Sequence, residues 1–200
     1  MQTWQIAVIV VVALVVVAVG WMVVQRQRTQ KLTEKFGPEY QRTVEASGDQ
    51  RAAERELQAR TERVKSFEIR ALSPEQRDQY LASWKESQAH FVDDPSGAIS
   101  QADALVQQVM LARGYPMADF EQRAADISVD HPHVVDEYRA AHNIAERQAT
   151  GAVGTEDLRQ AMVHYRALFD DLLETDSAES EPEPAAPAAP MTEDEAPTTD

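Results

Sequence analysis

The sequence predicts an all-α protein with an N-terminal transmembrane helix, a helical stalk, an antiparallel helical bundle and a disordered acidic C-terminal tail. Three observations carry that reading. Apolar residues recur at intervals of three and four through successive segments between residues 74 and 173. No segment alternates apolar and polar side chains with the period of a strand. Caps, prolines and glycines fall where helices of ordinary length would start and stop.

The first element runs from Trp4 to Val24, 21 residues in which Gln5 is the one polar side chain. At about 1.5 Å per residue it reaches about 30 Å, the thickness of a hydrocarbon core. Trp4 and Trp21 stand near its two ends, where an indole keeps its ring in lipid and its N–H among headgroups. Residues 1–24 are therefore expected to be a membrane anchor and the bilayer a partner. Ala18-Val19-Gly20 resembles a small-x-small cleavage site, which makes a secreted helical protein the alternative. Against it, the apolar run exceeds the roughly 7–15 residues of a signal core, and no basic side chain precedes it.

Arg26, Arg28, Lys31 and Lys35 follow the span, with Glu34 alone against them. The positive-inside rule puts the bulk of a single-pass chain in the cytoplasm, periplasmic or extracellular exposure being the alternative. Residues 25–67 read as this basic juxtamembrane stretch and a helical stalk. The stalk's apolar seam (Ala53, Leu57, Val64, Phe67) is thin and Arg60 interrupts it. It spans barely two heptads, enough for weak self-association only.

Residues 68–173 read as the bundle. Ser73-Pro74-Glu75-Gln76 has the form of an N-cap, a first-turn proline and a capping-box Gln. Asp94-Pro95 repeats the opening without the box, and Asp130-His131-Pro132 is expected to open another helix near residue 132. Thr155-Glu156-Asp157 sets two carboxylates in a first turn, where the helix dipole favours them. Stops fall at Gly37-Pro38, Gly48, Gly114-Tyr115-Pro116 and residues 150–154. The clearest stripe is Leu158, Met162, Tyr165, Phe169 and Leu172.

From Glu174 the composition changes. Residues 174–200 hold nine carboxylates, five prolines and no basic residue, too little apolar surface to offset the entropy of ordering. The whole chain carries a net charge of -15, of which this tail supplies most. Such a balance argues against nucleic acid as the partner. With no cysteine, disulfides and thiolate metal sites are excluded.

No motif identifies a reaction or a cofactor. The five histidines form no HExxH pair, and His131 and His133 flank a proline that should keep their side chains apart. His142 falls on the apolar face of its helix, where it could approach Tyr138 and Tyr165. Asp93-Asp94 and Asp170-Asp171 read as a cap and a solvated face. The densest mixture of aromatic and charged residues is the segment 115–142, with Tyr115, Phe120, Arg123, His131, Tyr138, Arg139 and His142. Two readings fit it: turn and capping residues tying helices together, with Arg123 paired to an acid, or a patch or pocket for a partner or small molecule.

The blocks FVDDPSGAISQADALVQQVM, RGYPMADFEQRAADISVDHPHVVDEYRAAH and TEDLRQAMVHYRALFDDLL resemble a recurrent bacterial family of membrane-anchored or secreted helical proteins with no assigned activity. The resemblance covers most of residues 32–173 and implies a bacterial cytoplasmic-membrane setting; it supplies no site residues. The function expected is a membrane-anchored interaction or scaffold module with an unidentified protein partner. A membrane-tethered small-molecule or stress sensor, with its pocket near residues 115–142, is the alternative.

Overall fold

The computed structural model describes residues 3–151 and 153–179, without the side chains of residues 3, 5–11, 13 and 175–179. The described residues form eight helices and no strand. The chain is all-α.

Helix α1 (Thr3–Phe36) is continuous, about 50 Å long at the usual rise. Residues 5–11 and 13 of the expected span lie outside the described side chains. Among the described residues, no helix is long and apolar enough to cross a membrane. The apolar side chains that are described, from Val12 to Val24, are exposed on every side of the helix. Further along, Leu32 and Phe36 of the same rod are buried. At Gly37 the backbone takes a positive φ of 49°, which ends α1 and lets Pro38 open α2 (Pro38–Ser47) in its first turn.

Helix α2 and helix α3 (Gln50–Val64) turn back beside the end of α1. They enclose a small apolar cluster of Leu32, Phe36, Tyr40, Leu57 and Val64, with Val129 from the bundle. Glu54 ties the three helices together. One of its carboxylate oxygens accepts from Thr29 at 2.7 Å, Gln50 at 3.0 Å and Tyr40 at 3.1 Å. Burial alone would raise that carboxyl's pKa, but the hydrogen bonds outweigh it and hold it low. The expected stalk is thus corrected: residues 25–64 fold into a compact layer against the bundle instead of an extended spacer. The reason is polar. Arg60, which interrupts the apolar seam, reaches the buried carboxylate of Glu39 at 2.8 Å, and Arg139 of the bundle grips the same carboxylate with both guanidinium nitrogens, at 2.6 and 3.0 Å.

The bundle comprises α4 (Pro74–His90), α5 (Pro95–Ala112), α6 (Phe120–Ile127), α7 (Val135–Ala149) and α8 (Thr155–Glu179). Helix α8 packs on both α7 and α5, and α5 packs on α4. Ser73 opens α4 with a complete capping box, its hydroxyl accepting from Gln76 N–H at 3.2 Å and the Gln76 side chain accepting from Ser73 N–H at 3.0 Å. Asp94 caps α5 through Gly97 N–H at 2.9 Å. The stripe of Leu158, Met162, Tyr165, Phe169 and Leu172 is buried along its length, and Trp84 stacks on Phe169 at 4.7 Å.

Two boundaries differ from expectation. Asp130 opens no helix: α7 begins at Val135 with no side-chain cap, and Pro132 lies in the preceding turn. The Asp130 carboxylate instead accepts the Tyr115 hydroxyl at 2.9 Å. At the C-terminal end, α8 runs to Glu179, past the start expected for the tail; residues 180–200, the rest of that tail, lie outside the described residues.

Candidate functional site

The segment 115–142 does not form one patch; its residues divide among two clefts and the core. Phe120, Arg139 and His142 border the first, an open cleft of about 960 Å³ that also meets Arg42, Asp136 and Glu146. Phe120 lies flat on the His142 ring, with 3.6 Å between centroids and 10° between planes. His142 Nε2 is 3.4 Å from Glu146. The ring therefore borders this cleft, while of the expected trio Tyr138 and Tyr165 meet edge-on with 6.5 Å between centroids. Tyr165 is fully buried and donates to Asp103 at 3.0 Å; burial first, then the Asp103 charge, push its phenol pKa far above the usual range.

Arg123 and Tyr138 belong to the core side of the junction. Arg123 Nε donates to the Tyr138 hydroxyl at 3.2 Å, and Nη1 donates to the Ala118 carbonyl at 2.6 Å. Arg123 thus serves a tyrosine and a carbonyl in place of the acid expected for it.

Tyr115 and His131 border the second cleft, about 460 Å³, between the ends of α1 and α3 and the turn before α7. Lys35, Lys65, Arg113 and Asp130 line it too. Its wall depends on Gly114, whose φ of 100° sends the chain past Glu68; a Cβ there would stand 2.3 Å from the Glu68 carbonyl oxygen. That approach lets Arg70 N–H donate to the Arg113 carbonyl at 2.9 Å. Tyr115 is buried, and burial together with the Asp130 charge raises its phenol pKa strongly, so it acts as a donor.

The histidines beside Pro132 converge after all. Both ring N–H groups meet the carboxylate of Asp171 on α8, His131 through Nδ1 and His133 through Nε2 at 2.7 Å. The turn of residues 132–134 brings both rings within reach of the one carboxylate on α8. Asp171 is accordingly a clamp and not part of a solvated face. Burial would raise its pKa, yet the hydrogen bonds and charges of His131 and His133 bring it below the ordinary carboxyl value. With Nδ1 engaged, His131 keeps its second nitrogen, Nε2, buried and without a hydrogen-bond partner among the described residues.

Comparison with family models, curated proteins and solved structures found no match for this chain. Its chemistry therefore rests on its own residues. Among the described residues no group of three His, Asp or Glu side chains is arranged to hold a metal ion. Basic residues along α1 form a third grouping. Arg26, Arg28, Lys31 and Lys35 are exposed along α1, and the Arg51 guanidinium lies 5.6 Å from the Trp21 ring centroid. Sequence reasoning missed Glu39, Arg113 and Asp171. Each is an ordinary charged residue within or at the end of its helix, and only the packing of distant helices gives it a buried partner.

Proposed function

We propose that this chain is a single-pass bacterial membrane protein that holds a helical interaction module directly against the cytoplasmic face of the bilayer. One observation carries the reading: α1 is an unbroken helix whose exposed apolar stretch passes, without a linker, into the buried positions Leu32 and Phe36. A helix that is apolar on all sides and exposed calls for lipid or protein around it. Arg51 at Trp21 puts the start of α3 level with the end of that stretch. The module then sits at the headgroups with Arg26, Arg28 and Arg51 facing anionic lipid.

The partner is a protein, and the surface offered to it is the first cleft. There the Phe120–His142 stack gives a flat aromatic face and the exposed Arg42 gives a donor. Two measurements test this reading. The full chain should remain with bacterial membranes through alkaline carbonate extraction, and protease should reach the bundle in inverted vesicles but not in spheroplasts. Recovery of a shortened chain beginning near residue 21 in osmotic-shock fluid would overturn the anchor. A photo-crosslinker at Glu121, beside the first cleft, should trap a discrete protein in cells. Adducts no stronger than those from an exposed control position, Lys85, would overturn the interaction reading.

A further inference from the structure

We propose that the groove between α1 and the start of α3 seats one anionic glycerophospholipid, its phosphate on Arg26 and Arg51 and its acyl chains along Trp21 and Met22. The proposal rests on the anchored-module reading and deepens it, because the bilayer then supplies a bound ligand as well as a solvent for α1.

The groove, about 370 Å³, has two unlike walls. Trp21 and Met22 make the greasy one; both are exposed, and both stand in the last turn of the apolar stretch. The other carries Arg26 from α1 with Gln50 and Arg51 from α3. An apolar surface that runs without a break into a pair of cations has the layout of a phospholipid, tail to headgroup. That continuity points to a lipid and away from a free anion, which has no use for the greasy wall.

Charge selects the class of lipid. Arg26 and Arg51 are exposed, and the acid that shares the groove is Glu54. Its carboxylate is buried and already accepts from Thr29, Gln50 and Tyr40 through one oxygen. Two guanidinium groups against one carboxylate leave an excess positive charge, which a phosphodiester monoanion answers. The Arg51 guanidinium lies 5.6 Å from the Trp21 ring centroid, a contact that steadies it beside the greasy wall and uses the ring face, leaving in-plane N–H donors for phosphate oxygens. Arg28 and Arg55 border an adjoining hollow that shares Arg51, so the surroundings add to the positive potential. A zwitterionic choline headgroup would bring its own cation against these arginines and lose part of the attraction.

Depth agrees with this placement. Arg26 stands about 7.5 Å beyond Trp21 along the helix axis, at the usual rise. The headgroup layer adds about 5–8 Å outside the hydrocarbon, so Trp21 at the interface sets Arg26 level with the phosphates. Lys31 and Lys35 lie about 15 and 21 Å beyond Trp21, past the headgroups and outside a Debye length of about 8–10 Å from Trp21.

The test places the full chain in nanodiscs with equal amounts of phosphatidylglycerol and phosphatidylcholine and counts the lipids retained by native mass spectrometry. A single phosphatidylglycerol should stay bound, preferred over phosphatidylcholine by about fivefold or more, the gain expected from one arginine near an anionic surface. R26Q/R51Q should abolish the preference. K31Q/K35Q, an equal loss of charge beyond the headgroups, should keep it. Flotation with pure phosphatidylcholine liposomes reports the anchor alone, and both variants should float like the parent. With flotation intact, the lipid site is overturned by equal retention of the two lipids or by an equal fall in K31Q/K35Q. Displacement of the lipid by excess soluble glycerol 3-phosphate would overturn it too. A parent chain that fails to float overturns the anchored reading and the site with it.

Discussion

The α1–α3 layer and the α4–α8 bundle are built from the same kind of element and held by different forces. The bundle closes over a large apolar core that includes Trp84, Val106, Met110, Tyr138, Leu168 and Phe169. The layer has a small apolar cluster and joins the bundle chiefly through charge: Glu39 with Arg60 and Arg139, and Arg63 Nε with the buried Asp126 at 3.0 Å. Apolar burial is non-directional and tolerant. A buried carboxylate shared by two guanidinium groups is directional, and losing one partner leaves the others stranded. The bundle should therefore hold as one unit, while the layer docks in one register and is released by single substitutions.

The largest expected effect is on the layer. Glu39→Ala removes the buried carboxylate that two half-buried arginines share, leaving Arg60 with Glu56 and Arg139 with Asp136, both exposed, and should cost about 3 kcal/mol. Limited proteolysis should then cut within α2 and α3 while leaving a resistant bundle, and simultaneous loss of both regions would break the distinction. Gly114→Ala comes next, because its positive φ and the 2.3 Å approach to the Glu68 carbonyl leave a methyl no room. A loss of about 2–3 kcal/mol is expected from denaturant unfolding, with protection lost first along residues 65–73. Ser73→Ala sharpens the comparison from the other side: it removes half of a capping box and should lower bundle stability by about 1 kcal/mol with no change in layer docking.

The smallest effect at neutral pH is expected for Asp171→Asn, and its sign follows from the linkage. The folded pKa of Asp171 is below its ordinary value, so its contribution is present above the ordinary carboxyl pKa of 3.8 and fades as pH falls through the folded value. The gap in thermal midpoint between parent and variant should therefore be full at pH 6 and shrink below about pH 4. A gap independent of pH over that range would refute the clamp.

Legibility followed the same division. The stripe of α8 and the openings at Ser73 and Asp94 were readable because each depends on residues within one or two turns. The layer was not. Arg60 looked like a break in a seam because its partner Glu39 lies 21 positions away, and the second partner, Arg139, lies 100 away from Glu39. His131 and His133 looked divergent because a proline separates them, whereas the turn that holds it delivers both to one carboxylate on a distant helix. In the segment 115–142 the residue types were informative, but which cleft each side chain borders depended on how α6 and α7 pack. Asp130 shows the limit most plainly: a residue suited to a cap was taken by a buried tyrosine.

Helix α1 is one rod, greasy and exposed at one end and packed into the protein at the other. A nitroxide scan tests it directly, and the absence of native cysteine makes single-site labelling simple. In liposomes of anionic bacterial lipid, labels from position 12 to 19 should be accessible to oxygen and shielded from a water-soluble nickel reagent, while labels at 32 and 36 should be immobile and shielded from both. Free access of the nickel reagent to positions 12–19, with the chain bound to those liposomes, would contradict it.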